Sequence, residues 1–229
     1  MKTLPKKSAQ SGFTLVEIAI VLVIIGLLLG GILKGQEMIT QAKIKNLIND
    51  FNGLAAAMYS YQDRYRAMPG DELNATVAGR WTGAFGGDGN GTFVRGATAA
   101  ATDVYNNAPT IPAAATAEAN LFWLHLRLSG FVPGSTDVGA AASTQQPNNS
   151  VNGVVGVQTS GMGFVSNVIC TSNLPDKVAI AVDTQADDGS AIRGQVRGVT
   201  QTAPNPAVTT GILEYQENGT NQYLLCKSL

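Results

Sequence analysis

The chain is poor in the side chains that most often carry out chemistry. Of its 229 residues one is a histidine and two are cysteines, and only 14% are charged. His125, with no nucleophile or metal partner beside it in sequence, reads as a packed or solvated side chain rather than a general base. There is no Gly-x-Ser-x-Gly, His-Glu-x-x-His, Gly-x-x-x-x-Gly-Lys or Cys-x-x-Cys, and the glycine-rich run 83–91 lacks the lysine and helix signal of a phosphate loop. An enzyme is therefore not the expectation. Clustered cations are missing too. Arg80, Arg95, Arg127, Lys177, Arg193 and Arg197 are scattered among carboxylates, which disfavours nucleic-acid binding. Proline is absent from Phe13 to Arg66, and glycines occur there only at Gly26, Gly30, Gly31, Gly35 and Gly53, so one helix of about 50 residues, near 80 Å long, is allowed.

What is present is concentrated at the N-terminus. A short leader with Lys6 and Lys7 runs through Gly12-Phe13 into an apolar stretch ending near Leu33. From Phe13 to Leu33 the only ionisable side chain is Glu17, and about 21 such residues cross the roughly 30 Å hydrocarbon layer as a helix. A cleaved secretory signal fits poorly, because the run is too long and continues, without an Ala-x-Ala-like exit, into an amphipathic helix. Lysines before the span and a neutral-to-acidic region after it predict a cytoplasmic N-terminus and a periplasmic remainder. Losing Lys2, Lys6 and Lys7 with the leader would move the net charge from −1 to −4. A carboxylate inside a bilayer costs several kcal/mol and usually marks a site, so Glu17 needs a positive partner.

Gly12-Phe13-Thr14-Leu15-Val16-Glu17 is similar to the cleavage and methylation motif of type IV pilins and type II secretion pseudopilins, a resemblance covering about the first 55 residues. It implies processing between Gly12 and Phe13 by a prepilin peptidase, N-methylation of Phe13 and a role for Glu17 in assembly. The new α-amino group would lie one helical turn from Glu17 and within reach of a neighbouring subunit. The resemblance further implies an inner-membrane assembly platform as partner and a homo- or hetero-oligomeric filament, whether pilus or pseudopilus, as product. It also implies an α+β fold, with a long protruding N-terminal helix packed on a head that holds an antiparallel sheet. An adhesion or DNA-uptake module on a pilus and a membrane-tethered periplasmic enzyme are the alternatives.

Residues 1–12 are then the leader, 13–66 the long helix and 67–229 the head. Within the helix, 13–36 form the transmembrane and assembly half, and 37–66 the amphipathic half. Ile44, Leu47, Ile48, Phe51, Leu54, Ala55, Met58 and Tyr65 recur at spacings of three and four and predict a face against the head. The four glycines from Gly26 to Gly35 weaken the helix by about 1 kcal/mol each where exposed, which suits close packing between membrane helices; the resemblance to pilins implies local melting on assembly. Met68-Pro69-Gly70-Asp71 should stop the helix.

In the head, Cys170 and Cys226 can pair only with each other within one chain; two buried thiols are the alternative, and a disulfide near the C-terminus is also a pilin-like trait. Residues 70–115 read as a long connection anchored by Trp81, Phe85, Phe93 and Tyr105. Thr116 should cap a short helix running to Ser129 and ended by Gly130. Strands are expected near 153–158, 163–170, 192–199, 211–217 and 222–227, the last two joined as a hairpin through Asn218-Gly219. Residues 174–187 fit a strand or a helix, and a short helix is favoured. Asp88-Gly89-Asn90-Gly91-Thr92 places oxygen ligands at alternate positions, with Asp88 and Asn90 as candidate calcium ligands, and Asp187-Asp188 is a second candidate. Either could equally be a plain turn.

Overall fold

The computed structural model describes residues 12, 14–96, 104–114, 116–208 and 211–229. Its contacts divide the chain into two compact units, one up to Ala42 and one from Lys43 to Leu229.

Helix α1, Leu15–Tyr65, contributes to both units. In the first unit its residues 15–34 are all exposed, with Leu15 at 89% and Leu27 at 74%. Among the described residues none covers this apolar stretch, whose richest 18-residue window has a mean hydropathy of 2.8. In the second unit Ile44, Leu47, Phe51, Leu54, Met58 and Tyr61 are buried at the predicted spacing, while Ile48, Ala55 and Tyr65 are partly covered. The helix ends as expected: Arg66 turns to φ 56° and Gly70 to φ 91°. A Cβ at Gly70 would lie 2.5 Å from the Glu118 carbonyl oxygen, so the close approach as well as the backbone angle calls for glycine.

Four strands follow in an α+β head: β1 Val155–Gly161, β2 Phe164–Pro175, β3 Val196–Gln201 and β4 Gln222–Ser228. All pairs are antiparallel, in the order β1-β2-β4-β3. Side-chain alternation buries both faces. Ile169 and Leu225 join a core with α1 and with helices α3, Glu118–Leu128, and α4, Asp176–Ala186. Val168, Cys170, Leu224 and Cys226 join a second cluster with Tyr105, Met162 and Phe164. Cys170 and Cys226 are direct cross-strand partners and form a disulfide.

Three expectations are corrected. Residues 211–217 form no strand and make no hairpin with β4. Both edges of β4 are already taken, by β2 and β3, so no ladder position on β4 is open to them. Instead Tyr215 lies on β3 at Gly198, where a Cβ would meet its ring at 2.7 Å, and the Asn218 and Gly219 N–H groups donate to Asp176 Oδ2 at the start of α4. The turn exists, but it serves α4. Secondly, Thr116 does not cap α3. Its hydroxyl accepts from Ala113 N–H, and the position before the helix is Ala117, which has no capping side chain. Thirdly, the 70–115 connection contains a short helix, α2, Asn74–Arg80, which its low apolar content concealed. The 174–187 ambiguity resolves as helix α4, with Val178, Ala179 and Val182 inward.

Candidate functional site

The N-terminal segment opens α1 with a reciprocal cap. Thr14 N–H and Thr14 Oγ1 both donate to Glu17 Oε2 at 2.8 Å, and Glu17 N–H donates back to Thr14 Oγ1 at 3.3 Å. This Thr-x-x-Glu arrangement satisfies donors that the first turn of any helix leaves open. The Thr14-Leu15-Val16-Glu17 spacing is itself the sequence mark of a capping box. Gly12 is exposed and has nothing within 4 Å of a built Cβ. Gly26, Gly30, Gly31 and Gly35 are equally unencumbered, so contacts within the chain give no reason for them. Phe13, the predicted processing and methylation residue, and leader residues 1–11 lie outside the described residues.

The head holds two carboxylate clusters. In the first, oxygens of Asp71, Asp88 and Glu118 all lie within 4.8 Å of one another. Asp71 stands just past the end of α1, Asp88 in the loop after α2, and Glu118 in the first turn of α3. Asp71 accepts the N–H groups of Asn90 and Gly91, each at 2.9 Å, and the Glu118 Oε1 atom accepts Asp88 N–H at 3.0 Å. Asp88 is exposed, and its carboxylate accepts Asn90 N–H at 3.2 Å and Gly96 N–H at 2.6 Å. Asn90 is turned away: its Oδ1 accepts both N–H and hydroxyl of Thr92. Thus the loop supplies Asp88 to the cluster, while the other two carboxylates come from sequence-distant positions that no local pattern marks. Burial, above all, raises the pKa of Glu118 to about 8, with the Asp88 and Asp71 charges adding to it. Burial also raises that of Asp71.

The second cluster is Asp183, Asp187 and Asp188, whose ligand atoms again lie within 4.8 Å. Asp183 is buried, receives Gly189 N–H and the Tyr215 hydroxyl, and is pushed up to about 6 chiefly by burial. Asp187 is engaged by the N–H groups of Gln195 and Val196, and Asp188 by Ser190 N–H and Arg193. Each member is thus already bonded.

His125 is buried and structural in its contacts. Gly70 N–H donates to Nδ1 at 2.9 Å, so Nδ1 carries no proton, and Nε2–H donates to Phe85 O at 2.9 Å. Beside it Glu72, 1% exposed at its side chain, accepts two bonds from Arg80 and one from Tyr61. Burial pulls Glu72 upward, but the Arg80 and Tyr61 bonds outweigh it and hold the carboxyl below its ordinary range.

Comparison with known families places the N-terminal segment. Residues 7–33 match the prokaryotic N-terminal methylation motif, which is the type IV pilin and pseudopilin signature. Comparisons of the chain with well-described proteins and with solved structures gave no match. The motif supports a pilin-like substrate of prepilin peptidase, and with the long apolar helix it fits a membrane-anchored precursor. It points to a structural subunit.

Proposed function

We propose that this chain is a structural subunit, a pilin or pseudopilin, that is cut after Gly12, held in the inner membrane by α1 and assembled through that helix into a filament. The observation that carries the reading is an exposed apolar helix half, residues 15–34, opened by Gly12-Phe13-Thr14-Leu15-Val16-Glu17. Such a surface needs either lipid or other helices around it, since leaving it in water forfeits about 25 cal/mol for each Å² of apolar area. Before assembly the bilayer covers it, with the N-terminus cytoplasmic and the head periplasmic. Afterwards the same stretch of neighbouring subunits does.

Glu17 would select between the two environments. In the single subunit its carboxylate takes two bonds from Thr14. Removal of the leader creates a charged, N-methylated amine at Phe13, and a subunit docking alongside can offer that amine to Glu17 as a charge-assisted partner. The exposed glycines at 26, 30, 31 and 35 suit close helix approach in such a bundle.

Co-expression with a prepilin peptidase and an inner-membrane assembly platform, followed by intact-mass analysis, tests this reading. The expected product begins with N-methylated Phe13 and is recovered in a sheared filament or pseudopilus fraction. Retention of Met1 in an assembled product would overturn it.

A further inference from the structure

We propose that Asp71, Asp88 and Glu118 form a calcium site that fastens the 87–96 loop to the start of α3. The proposal does not depend on the filament reading. Carboxylate oxygens of the three residues converge within 4.8 Å, and none of the three takes part in a salt bridge among the described residues.

The decisive group is Glu118. Its side chain is wholly buried, one oxygen accepts Asp88 N–H, and the other, Oε2, is buried with no hydrogen-bond partner among the described residues. A buried acceptor without a partner forfeits its solvation, the more so when charged, and natural folds rarely leave one. Such a group, placed beside two further carboxylates, is explained by a cation that takes its free lone pairs. Asp71 spends one N–H bond on each of its oxygens, which leaves acceptor capacity on both.

The donor chemistry selects the cation class. Only oxygens converge here, and the two cysteines are consumed in their disulfide on the sheet. Hard oxygen donors suit calcium or magnesium rather than the softer transition metals. Calcium accepts six to eight oxygens in irregular arrangements, whereas magnesium demands near-octahedral geometry and gives up its waters reluctantly. A loop wound by Gly87, Gly89 and Gly91, with water completing the shell on the exposed Asp88 side, meets the looser requirement. Backbone crowding fixes the loop against its partners: a Cβ at Gly87 would lie 2.5 Å from Glu118 Oε1 and 2.6 Å from Asp71 Cα.

The test uses the full-length chain in detergent micelles, stripped with a chelator and titrated with calcium chloride or magnesium chloride by calorimetry and thermal melting. Calcium should bind at one equivalent and raise Tm by roughly 5–10 °C at about a hundred times its dissociation constant. Magnesium at the same concentration should do much less. Asp88→Asn, at an exposed position, should lower calcium affinity at least about tenfold; Glu118→Gln, which retains the Oε1 acceptor, should do the same. Asp188→Asn, in the other cluster, should respond like the unaltered chain. Absence of a calcium response in the unaltered chain, an equal response to magnesium, or an undiminished response in Asp88→Asn would each overturn the assignment. If Glu118→Gln fails to fold, Asp88→Asn alone decides.

Discussion

Thr14 and Glu17 hold each other at the entrance of α1, with two bonds of 2.8 Å onto a single carboxylate oxygen. The acid expected to wait for a partner from another subunit is therefore already occupied within its own chain. Assembly, on the proposed reading, exchanges neutral donors for a charged amine, which adds a direct charge–charge attraction that is stronger in a low-dielectric bundle than in water. Glu17→Ala should leave leader removal intact and sharply reduce the amount of subunit in sheared filaments. Thr14→Val should keep processing and weaken the first helical turn by about 1 kcal/mol, read as faster amide exchange of residues 15–18 in micelles. Normal filament yield from Glu17→Ala, measured by immunoblot of the sheared fraction, would refute the exchange.

Gly12 gives a cleaner separation of fold from processing. Because nothing among the described residues lies within 4 Å of a Cβ at this position, Gly12→Val disturbs no packing contact among them. The melting curve of the head should be unchanged, while the leader stays attached and the chain remains in the membrane fraction. Mass analysis of the purified variant reads both results in one sample. Efficient cleavage of Gly12→Val would show that the residue does not define the processing point.

How far sequence reaches is clear from particular residues. Helix α1 and its buried face from Ile44 to Tyr61 follow from spacing, because a helix shows one side to a core every three or four positions. Two cysteines allow one intrachain disulfide or two buried thiols, and the cross-strand pairing of Cys170 with Cys226 decides for the bond. The 211–217 segment has the composition of a strand but none of the ladder, since strand status depends on a free neighbouring edge and β4 had none to offer. For the acidic cluster, the Asp-Gly-Asn-Gly run reveals Asp88, yet its other members arrive through the tertiary fold. Asp71 is fixed by the turn after α1 and Glu118 by α3, and neither carries a local mark of its partners.

The disulfide joins the two central strands of the sheet, across a sequence separation of 56 residues. Closing a loop of this size stabilises the fold by about 4 kcal/mol in the chain-entropy estimate, and measured losses for such bonds run to about 2–5 kcal/mol. Replacing both cysteines by alanine should therefore lower Tm by roughly 5–15 °C. Since each strand also keeps its ladder and its apolar neighbours Val168 and Leu224, the variant should still fold at low temperature. Chemical denaturation of both proteins under non-reducing conditions measures the difference. A midpoint unchanged by removal of both thiols would show that ladder and core alone fix these strands.

His125 should make the head sensitive to moderate acid. Burial, first, and the nearby Arg80 charge lower its pKa from 6.5 to about 4, against the raising effects of the Phe85 bond and the Glu72 carboxylate. Tyr61 and Trp81 rings flank the imidazole, and Gly70 N–H occupies the nitrogen that a second proton would need. The folded state thus binds that proton more weakly than the unfolded state does. Stability from this group is fully present above pH 6.5 and is lost as pH falls from 6.5 through 4, by about 3 kcal/mol in total. Asp183 works in the opposite sense, because its raised pKa of about 6 favours the folded state as protons bind. Glu118, raised to about 8, and Asp71, also raised, act in the same sense as Asp183, so the unaltered protein shows the sum of several opposed trends, and a variant isolates the histidine. His125→Gln should be less stable at pH 7, and the stability gap between it and the unaltered chain should shrink by about 3 kcal/mol between pH 7 and pH 4. Urea melts of both proteins across that range provide the comparison, and a gap that stays constant with pH would show that His125 titrates alike in the folded and unfolded states.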